Sequence, residues 1–294
     1  MRNERDRSKV ESDYDGTLTD TFANAENYRG ATVEVLSSIT GVSAVELRDL
    51  LEAKTTTVRR NPARYGWKQK ISERGDEIIV APATVDAYLL TMAGVELLLK
   101  HLQRHDKNFK YPSREQLQTV HPQAYQKAGV VFREDAQLYV VTLCQETDFA
   151  IVSNSGTDKV REKLGFLLKG TPISSDDIRL IGDARKYKID FNQPFFDIPM
   201  AINVPGLDRP WFSWRRDYHH ALMEVLGKRR GGSKPKYAVG DIGEMDLLLP
   251  WLVGFHPIQL VHDHTPKWEK DFFAKKGSTV KTLTQAVDVI LSGK

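Results

Sequence analysis

The second half of the chain alternates short apolar runs with stretches of helical spacing, and this alternation limits the fold more than any other feature. Residues 148–153 (DFAIVS), 177–182 (DIRLIG), 236–240 (KYAVG) and 256–262 (HPIQLVH) are the short runs. The first closes on Asn-Ser-Gly and the third on Gly-Asp, both turn signals. Helical patterns occupy 158–168, 211–226, 244–253 and 282–291. Strands that alternate with helices predict an α/β fold, a parallel sheet covered on both faces.

Residues 22–133 read differently. Helical spacing recurs at 31–39, 44–53, 84–103 and 114–128, with few strand signals between them. The stretch 55–74 is polar and basic and is predicted as a loop. The expected organisation is therefore a Rossmann-like core from 1–21 and 134–294, with a helical insertion at 22–133 after the first strand.

Composition closes off several function classes. The 294 residues are 40% hydrophobic, enough to bury a core with a smaller companion. No stretch approaches the ~20 apolar residues of a membrane span; the longest, 247–255, is broken by Pro250 and Gly254. The charged first residues lack an apolar signal core, which predicts a cytoplasmic protein. Cys144 is the sole cysteine, so an internal disulfide and a cysteine zinc cluster are excluded. Net charge is only +3. The basic groups Arg59–Arg60, Arg215–Arg216 and 228–230 are better read as solvated faces than as a nucleic-acid footprint, because no reading motif accompanies them.

The residues that carry chemistry fall into four groups. Asp13-Tyr14-Asp15-Gly16-Thr17 sets two acids two apart before a tight turn. One carboxylate can attack phosphorus, and the other can protonate a leaving oxygen and then activate water. Val239-Gly240-Asp241 ends a predicted strand, and Asp246 lies five residues on. Asp13 and Asp241 offer the hard oxygen ligands that Mg²⁺ prefers, with Asp246 available to hold a metal-bound water. Ser153-Asn154-Ser155 brings hydroxyl and backbone N–H groups to another strand end, which suits a phosphate oxygen. Residues 183–188 follow a further strand, and Lys186, with Lys188 as its rival, can neutralise nucleophile and phosphate. All four groups follow carboxyl ends of predicted strands, the edge where open α/β sheets bind ligands.

The order DxDGT, strand-Ser-Asn, lysine, GDxxxxD resembles the haloacid dehalogenase-like (HAD) superfamily, over about residues 8–291. That resemblance implies a mobile cap inserted between the first and second motifs. It further implies Asp13 as nucleophile and Asp15 as general acid/base that also binds Mg²⁺ through its backbone carbonyl. Ser153 and Lys186 would hold phosphate, with Gly16, Thr17, Asn154 and Ser155 lining the substrate, and Asp241 with Asp246 would complete the metal site. Dehalogenases of the superfamily lack the second aspartate, so Asp15 points to phosphatase or phosphotransferase chemistry. The expected substrate is a small phosphorylated metabolite. Phosphomutase chemistry, or partner binding on an old hydrolase scaffold, are the alternatives.

Two departures stand out. Glu11 and Ser12 are poor residues for a central buried strand. The third motif lacks the Lys-Pro common in relatives. Elsewhere, His262-Asp263-His264 reads as a surface loop, and His219 with His220 cannot both face one ligand. Trp211, Trp214, Arg215, Arg216 and Tyr218 read as helix packing with exposed arginines, with a place flanking the site, between the lysine and metal motifs, as the alternative. Residues 191–208 are longer than an ordinary connection and read as a flap or an oligomer contact.

Overall fold

The computed structural model describes residues 7–61, 64–70, 77–191, 198–227 and 234–293. The basic group at 228–230, positions 71–74 of the polar stretch and positions 192–197 of the long connection lie outside the described residues. Ten strands are present among them: β1 (Lys9–Ser12), β2 (Gly66–Lys70), β3 (Glu77–Pro82), β4 (Asp148–Val152), β5 (Arg179–Ile181), β6 (Ala201–Ile202), β7 (Trp211–Phe212), β8 (Lys236–Gly240), β9 (His256–Leu260) and β10 (Ser278–Val280). The α-helices are α1 (Ala25–Thr40), α2 (Ala44–Arg59), α3 (Ala87–His105), α4 (Arg114–Ala128), α5 (Ala136–Glu146), α6 (Thr157–Leu167), α7 (Arg216–Leu226), α8 (Leu248–Leu252), α9 (Lys267–Phe273) and α10 (Leu283–Ser292).

Contacts divide the chain into two units: Met1–Thr19, Gln69–Val80 and Phe132–Lys294 in one, Asp20–Lys68 and Ala81–Val131 in the other. The first unit is an α/β fold around a six-stranded sheet of order β10-β9-β8-β1-β4-β5, in which every pair is parallel. From β1 the chain runs outward through β4 and β5, then returns to the other side of β1 as β8, β9 and β10. That reversal makes the end of β1 a topological switch point.

Period-two alternation sorts side chains onto the two faces. Val10, Phe149, Ile151, Tyr237, Val239 and Ile258 join one apolar cluster, with Tyr139 and Leu143 of α5 and Leu283 and Ala286 of α10. Ala150, Val152 and Ala238 join the other, with Tyr218 and Leu222 of α7 and Leu247–Leu249. Glu11 is aligned with Ala150 on one side and Ala238 on the other. The small neighbours leave room for a carboxylate inside the second layer.

The second unit is built on α1 to α4. Val33, Leu36, Leu47, Leu51, Val95, Leu98, Leu99 and Val120 form its main core. Its helix ends are chemically marked. Gly41 closes α1 in the left-handed conformation, Ser43 caps α2 by accepting from Glu46 N–H, and Ser113 with Gln116 makes a capping box on α4.

Several elements differ from expectation. The 55–74 stretch is not one loop, because α2 runs to Arg59 and β2 begins at Gly66. Position 211 starts β7 rather than a helix, and α7 begins only at Arg216. Position 244 lies in a turn of π-helix, Gly243–Leu247, ahead of the short α8. The described part of the long connection holds the antiparallel pair β6–β7. No helix among the described residues is long and apolar enough to cross a membrane.

Candidate active site

Asp13 follows β1, Ser153 follows β4, Lys186 lies beyond β5 and Asp241 follows β8. These strands are parallel, so their carboxyl ends open on one edge of the sheet. Asp13 keeps the register of β1, its N–H donating to Val239 O at 2.9 Å, and the residue is 5% exposed. Then the chain turns at Gly16, whose φ is +88°. A Cβ there would fall 2.3 Å from Asp241 Oδ2, so only glycine lets the turn lie against that carboxylate. Thr17 Oγ1 donates to Asp241 Oδ1 at 3.3 Å. Gly240 serves the same end, since a Cβ there would meet the Asp246 Cβ at 2.4 Å.

Asp246 sits on the π-helical turn, where an extra residue per turn re-aims a side chain. Its Oδ2 accepts from the Ile242 N–H at 3.0 Å and its Oδ1 from Lys186 Nζ at 3.1 Å. Asp13, Asp241 and Asp246 thus bring buried carboxylate oxygens within 4.8 Å of one another.

The lysine loop is held under backbone strain. Asp183 and Arg185 have φ of 52° and 48°, a region that non-glycine residues occupy at a cost of about 1–3 kcal/mol each. Hydrogen bonds to the serine turn hold them there. Asp183 N–H donates to Ser155 O at 3.0 Å, Ala184 N–H to Ser153 O at 2.9 Å, and Lys186 N–H to Asn154 Oδ1 at 2.6 Å. As a result Lys186 is fully buried, with Nζ 2.8 Å from Asp13 Oδ1 and 3.8 Å from Glu11 Oε1. Its ammonium also lies 5.0 Å from the centre of the Tyr218 ring. Lys188 points elsewhere: its side chain is half exposed and pairs with Asp217 at 3.4 Å.

Charge balance in this pocket is uneven. Burial lowers the affinity of Lys186 for its proton, but Asp13, Asp246 and Glu11 outweigh it and the lysine titrates above its ordinary range. Burial, then the charge of Asp246, hold the Asp13 carboxyl well above the usual carboxylate range against the pull of Lys186. Burial likewise pushes Glu11 up to about 8. The site carries more carboxylate than its lysine neutralises, and the donor set is hard oxygen. Both features fit a divalent cation such as Mg²⁺.

Asp15 is half-buried and accepts from Ser155 Oγ at 2.8 Å and Ser153 Oγ at 3.3 Å. The Ser153 hydroxyl therefore orients the second acid as well as facing the site. Ser155 N–H returns a hydrogen bond to Ser153 Oγ at 2.9 Å.

Sequence reasoning gave no site role, or the wrong surroundings, to several participants. Glu11 was visible as a misfit in a buried strand, and it accepts from Tyr218 OH at 3.2 Å. The same hydroxyl lies 2.7 Å from Asp246 O. Arg215 is not an exposed helix arginine. It is fully buried, donates to the carbonyls of Lys186 and Val80, and lies 3.4 Å from Glu244. Arg209 clasps the same Glu244 through two bonds of 2.6 and 3.1 Å. Arg133 donates to Gly16 O and Thr17 O, each at 2.9 Å, and rests against His262. His262 is thus half-buried, while Asp263 and His264 are exposed. His219 is buried and His220 exposed, so they share no ligand.

No family model and no curated protein matches this sequence. Solved structures do match. The putative HAD-hydrolase YfnB from Bacillus subtilis, bound to magnesium, aligns over 97% of this chain and 99% of its own, with TM-score 0.52 and 12% identity. A HAD phosphatase from Thermococcus onnurineus aligns over 96% and 97%, with TM-score 0.47 and 14% identity. A 2-haloacid dehalogenase from Pseudomonas syringae pv. Tomato DC3000 aligns over 98% and 100%, with TM-score 0.44 and 13% identity. The chain has the haloacid dehalogenase-like hydrolase fold.

Proposed function

We propose that the protein is a Mg²⁺-dependent phosphohydrolase of small phosphomonoesters, working through a phosphoryl-Asp13 intermediate. The observation that carries this reading is the pair of acids on one turn with separate surroundings. Asp13 is buried against Lys186, whereas Asp15 is half-buried on two serine hydroxyls. Pairs of acids held in unlike environments divide the work of nucleophile and acid/base.

Asp13, Asp241 and Asp246, with the carbonyl of Asp15, would hold Mg²⁺. The ion would offset charge between nucleophile and phosphate. In the first step an Asp13 oxygen forms a bond to phosphorus as the ester P–O bond breaks, and Asp15 gives its proton to the departing oxygen. In the second, Asp15 takes a proton from water as that water's oxygen attacks phosphorus, releasing inorganic phosphate and restoring the Asp13 carboxylate. Lys186 balances the charge of Asp13 and of the incoming phosphoryl oxygens throughout. Loop strain at 183–185 is the structural cost of aiming that lysine inward.

The test is phosphate release from a panel of phosphorylated metabolites, with and without Mg²⁺, for wild type and Asp13→Asn. Metal-dependent release that disappears in the variant is the expected result. Release that persists unchanged in Asp13→Asn excludes the mechanism. Thermal stabilisation by beryllium fluoride with Mg²⁺ provides a second readout, because a site that does not bind a phosphoryl mimic shows no shift.

A further inference from the structure

We propose that Arg133 is a positioning residue for the divalent cation: it fixes the backbone of the nucleophile loop, and that loop fixes the Asp241 carboxylate. The activity arm of this proposal rests on the phosphohydrolase reading; the binding arm does not.

Arg133 grips three successive residues of the turn. Its Nε donates to Thr17 O at 2.9 Å, its Nη2 to Gly16 O at 2.9 Å, and its own N–H to Leu18 O at 3.0 Å. A peptide group is planar, so pinning consecutive carbonyls fixes consecutive planes. Those planes determine where Asp241 can sit. The Gly16 Cα lies so close that an added Cβ would meet Asp241 Oδ2 at 2.3 Å, and Thr17 Oγ1 donates to Asp241 Oδ1 at 3.3 Å. His262, on the loop after β9, backs the guanidinium with Nε2 at 3.0 Å from Nη2. Arginine suits the task because its planar fork presents two donors in fixed geometry, which an ammonium does not. The reach from Arg133 to the cation is thus Arg133, loop carbonyls, Thr17 and Gly16, Asp241. Partners bonded directly to a ligand typically change metal affinity by about 10–100-fold, and Arg133, one step further out, belongs at the lower end of that range.

The experiment compares the full chain with Arg133→Ala and Arg133→Lys, using Asp241→Asn as the reference for a lost ligand. Mg²⁺ is titrated calorimetrically without substrate. Far-UV circular dichroism and urea unfolding verify that each variant is folded. The expected result is Mg²⁺ affinity about 10-fold weaker in Arg133→Ala, with Arg133→Lys no better than ~3-fold recovered. In parallel, kcat for p-nitrophenyl phosphate should fall about 10–100-fold with KM changed less than ~3-fold, since misplacement of aligned groups costs rate more than binding. Methylguanidinium added to Arg133→Ala should restore part of both quantities. Wild-type Mg²⁺ affinity in folded Arg133→Ala overturns the proposal, and so does a wild type that binds no Mg²⁺. A wild type that binds Mg²⁺ but releases no phosphate from any ester refutes the phosphohydrolase reading alone, and calorimetry then decides the role of Arg133.

Discussion

β1 and β4 lie side by side in the same sheet, parallel and in register, and they solve burial in opposite ways. β4 is DFAIV, and its last four residues are buried and apolar. β1 is KVES, and its last two residues are equally buried but polar. A buried carboxylate without partners costs far more than a buried valine gains. β1 is tolerated because other elements bring partners to it. Ala150 and Ala238 give Glu11 space, Tyr218 gives it a hydrogen bond, and Lys186 gives it an opposite charge 3.8 Å away. Ser12 is met by Tyr139 OH at 3.2 Å. A central strand can therefore be polar where its end enters a site, and its neighbours, not its own pattern, make it stable. β4 needs no such help, because it lends the site only the turn beyond it.

The largest test of this contrast removes the group at the end of β1. Asp13→Asn should lower phosphate release by on the order of 10⁴–10⁶-fold, the scale of losing a nucleophile. Because Asn is neutral, the fold should survive, with less carboxylate for Lys186 to balance. A variant that unfolds would mean that the polar end of β1 is structural first.

Next in size is the lysine. Lys186→Met leaves Asp13, Asp246 and Glu11 without their buried cation, and breaking a buried pair from one side costs about 3–5 kcal/mol. Lys188→Met removes only the exposed pair with Asp217, worth at most ~1 kcal/mol. Urea midpoints and phosphate release for the two variants should separate them widely. Similar losses in both would mean that the loop, with its strained Asp183 and Arg185, matters more than the ammonium it aims.

A smaller test makes β1 resemble β4. Glu11→Leu replaces a buried carboxyl whose Oε2 has no hydrogen-bond partner with an apolar side chain of similar size. Lys186 keeps Asp13 and Asp246 as partners, so the exchange strands no buried cation, and its effect on stability should be small. If Glu11 is there for the site, stability should hold or rise while kcat falls about 10-fold, as Lys186 loses one restraint. Lower stability with unchanged kcat would assign Glu11 to folding instead.

The same contrast explains what the sequence could and could not reveal. β4, β8 and β9 were legible because apolar runs of strand length end in turn residues. The candidate site was legible at Asp13, Asp15, Ser153, Lys186, Asp241 and Asp246 because such residue types at strand ends are few. β1 was legible only through the motif after it, since Glu11 and Ser12 break the apolar signal. β2 was hidden because GWKQK is polar and incompletely buried, so nothing marks it as a strand. The π-turn at 243–247 keeps helical spacing in sequence and differs only in hydrogen bonding. Arg133 was out of reach, and Arg215 was visible only as one member of an aromatic and basic group, not as a buried clamp. Each acts on backbone carbonyls far away in sequence, and no residue pattern records which carbonyl an arginine will meet.

A further test, read only as a change with pH, concerns a buried carboxyl that plays no part in the proposed chemistry. Glu269 of α9 accepts from Gly243 N–H at 2.5 Å and Gln259 Nε2 at 2.9 Å, both through Oε1, and burial pushes it up to about 8. In the unfolded chain it titrates near its ordinary 4.5. Between those values the folded protein holds a proton that the unfolded chain has lost. Stability from this group is therefore full below about 4.5 and declines as pH rises to about 8, at up to roughly 1.4 kcal/mol per pH unit. Glu269→Gln keeps the Oε1 acceptor and cannot ionise. Urea midpoints measured without added metal should nearly coincide for variant and wild type near pH 4.5 and part in favour of the variant toward pH 8. Glu11 titrates upward in both proteins, so its share cancels in the difference. Parallel curves would mean that Glu269 stays ionised in the folded state, and that its two hydrogen bonds, both to one oxygen, outweigh burial. The buried acids of this fold would then be governed by the donors that meet them more than by depth, at Glu11 as well as at Glu269.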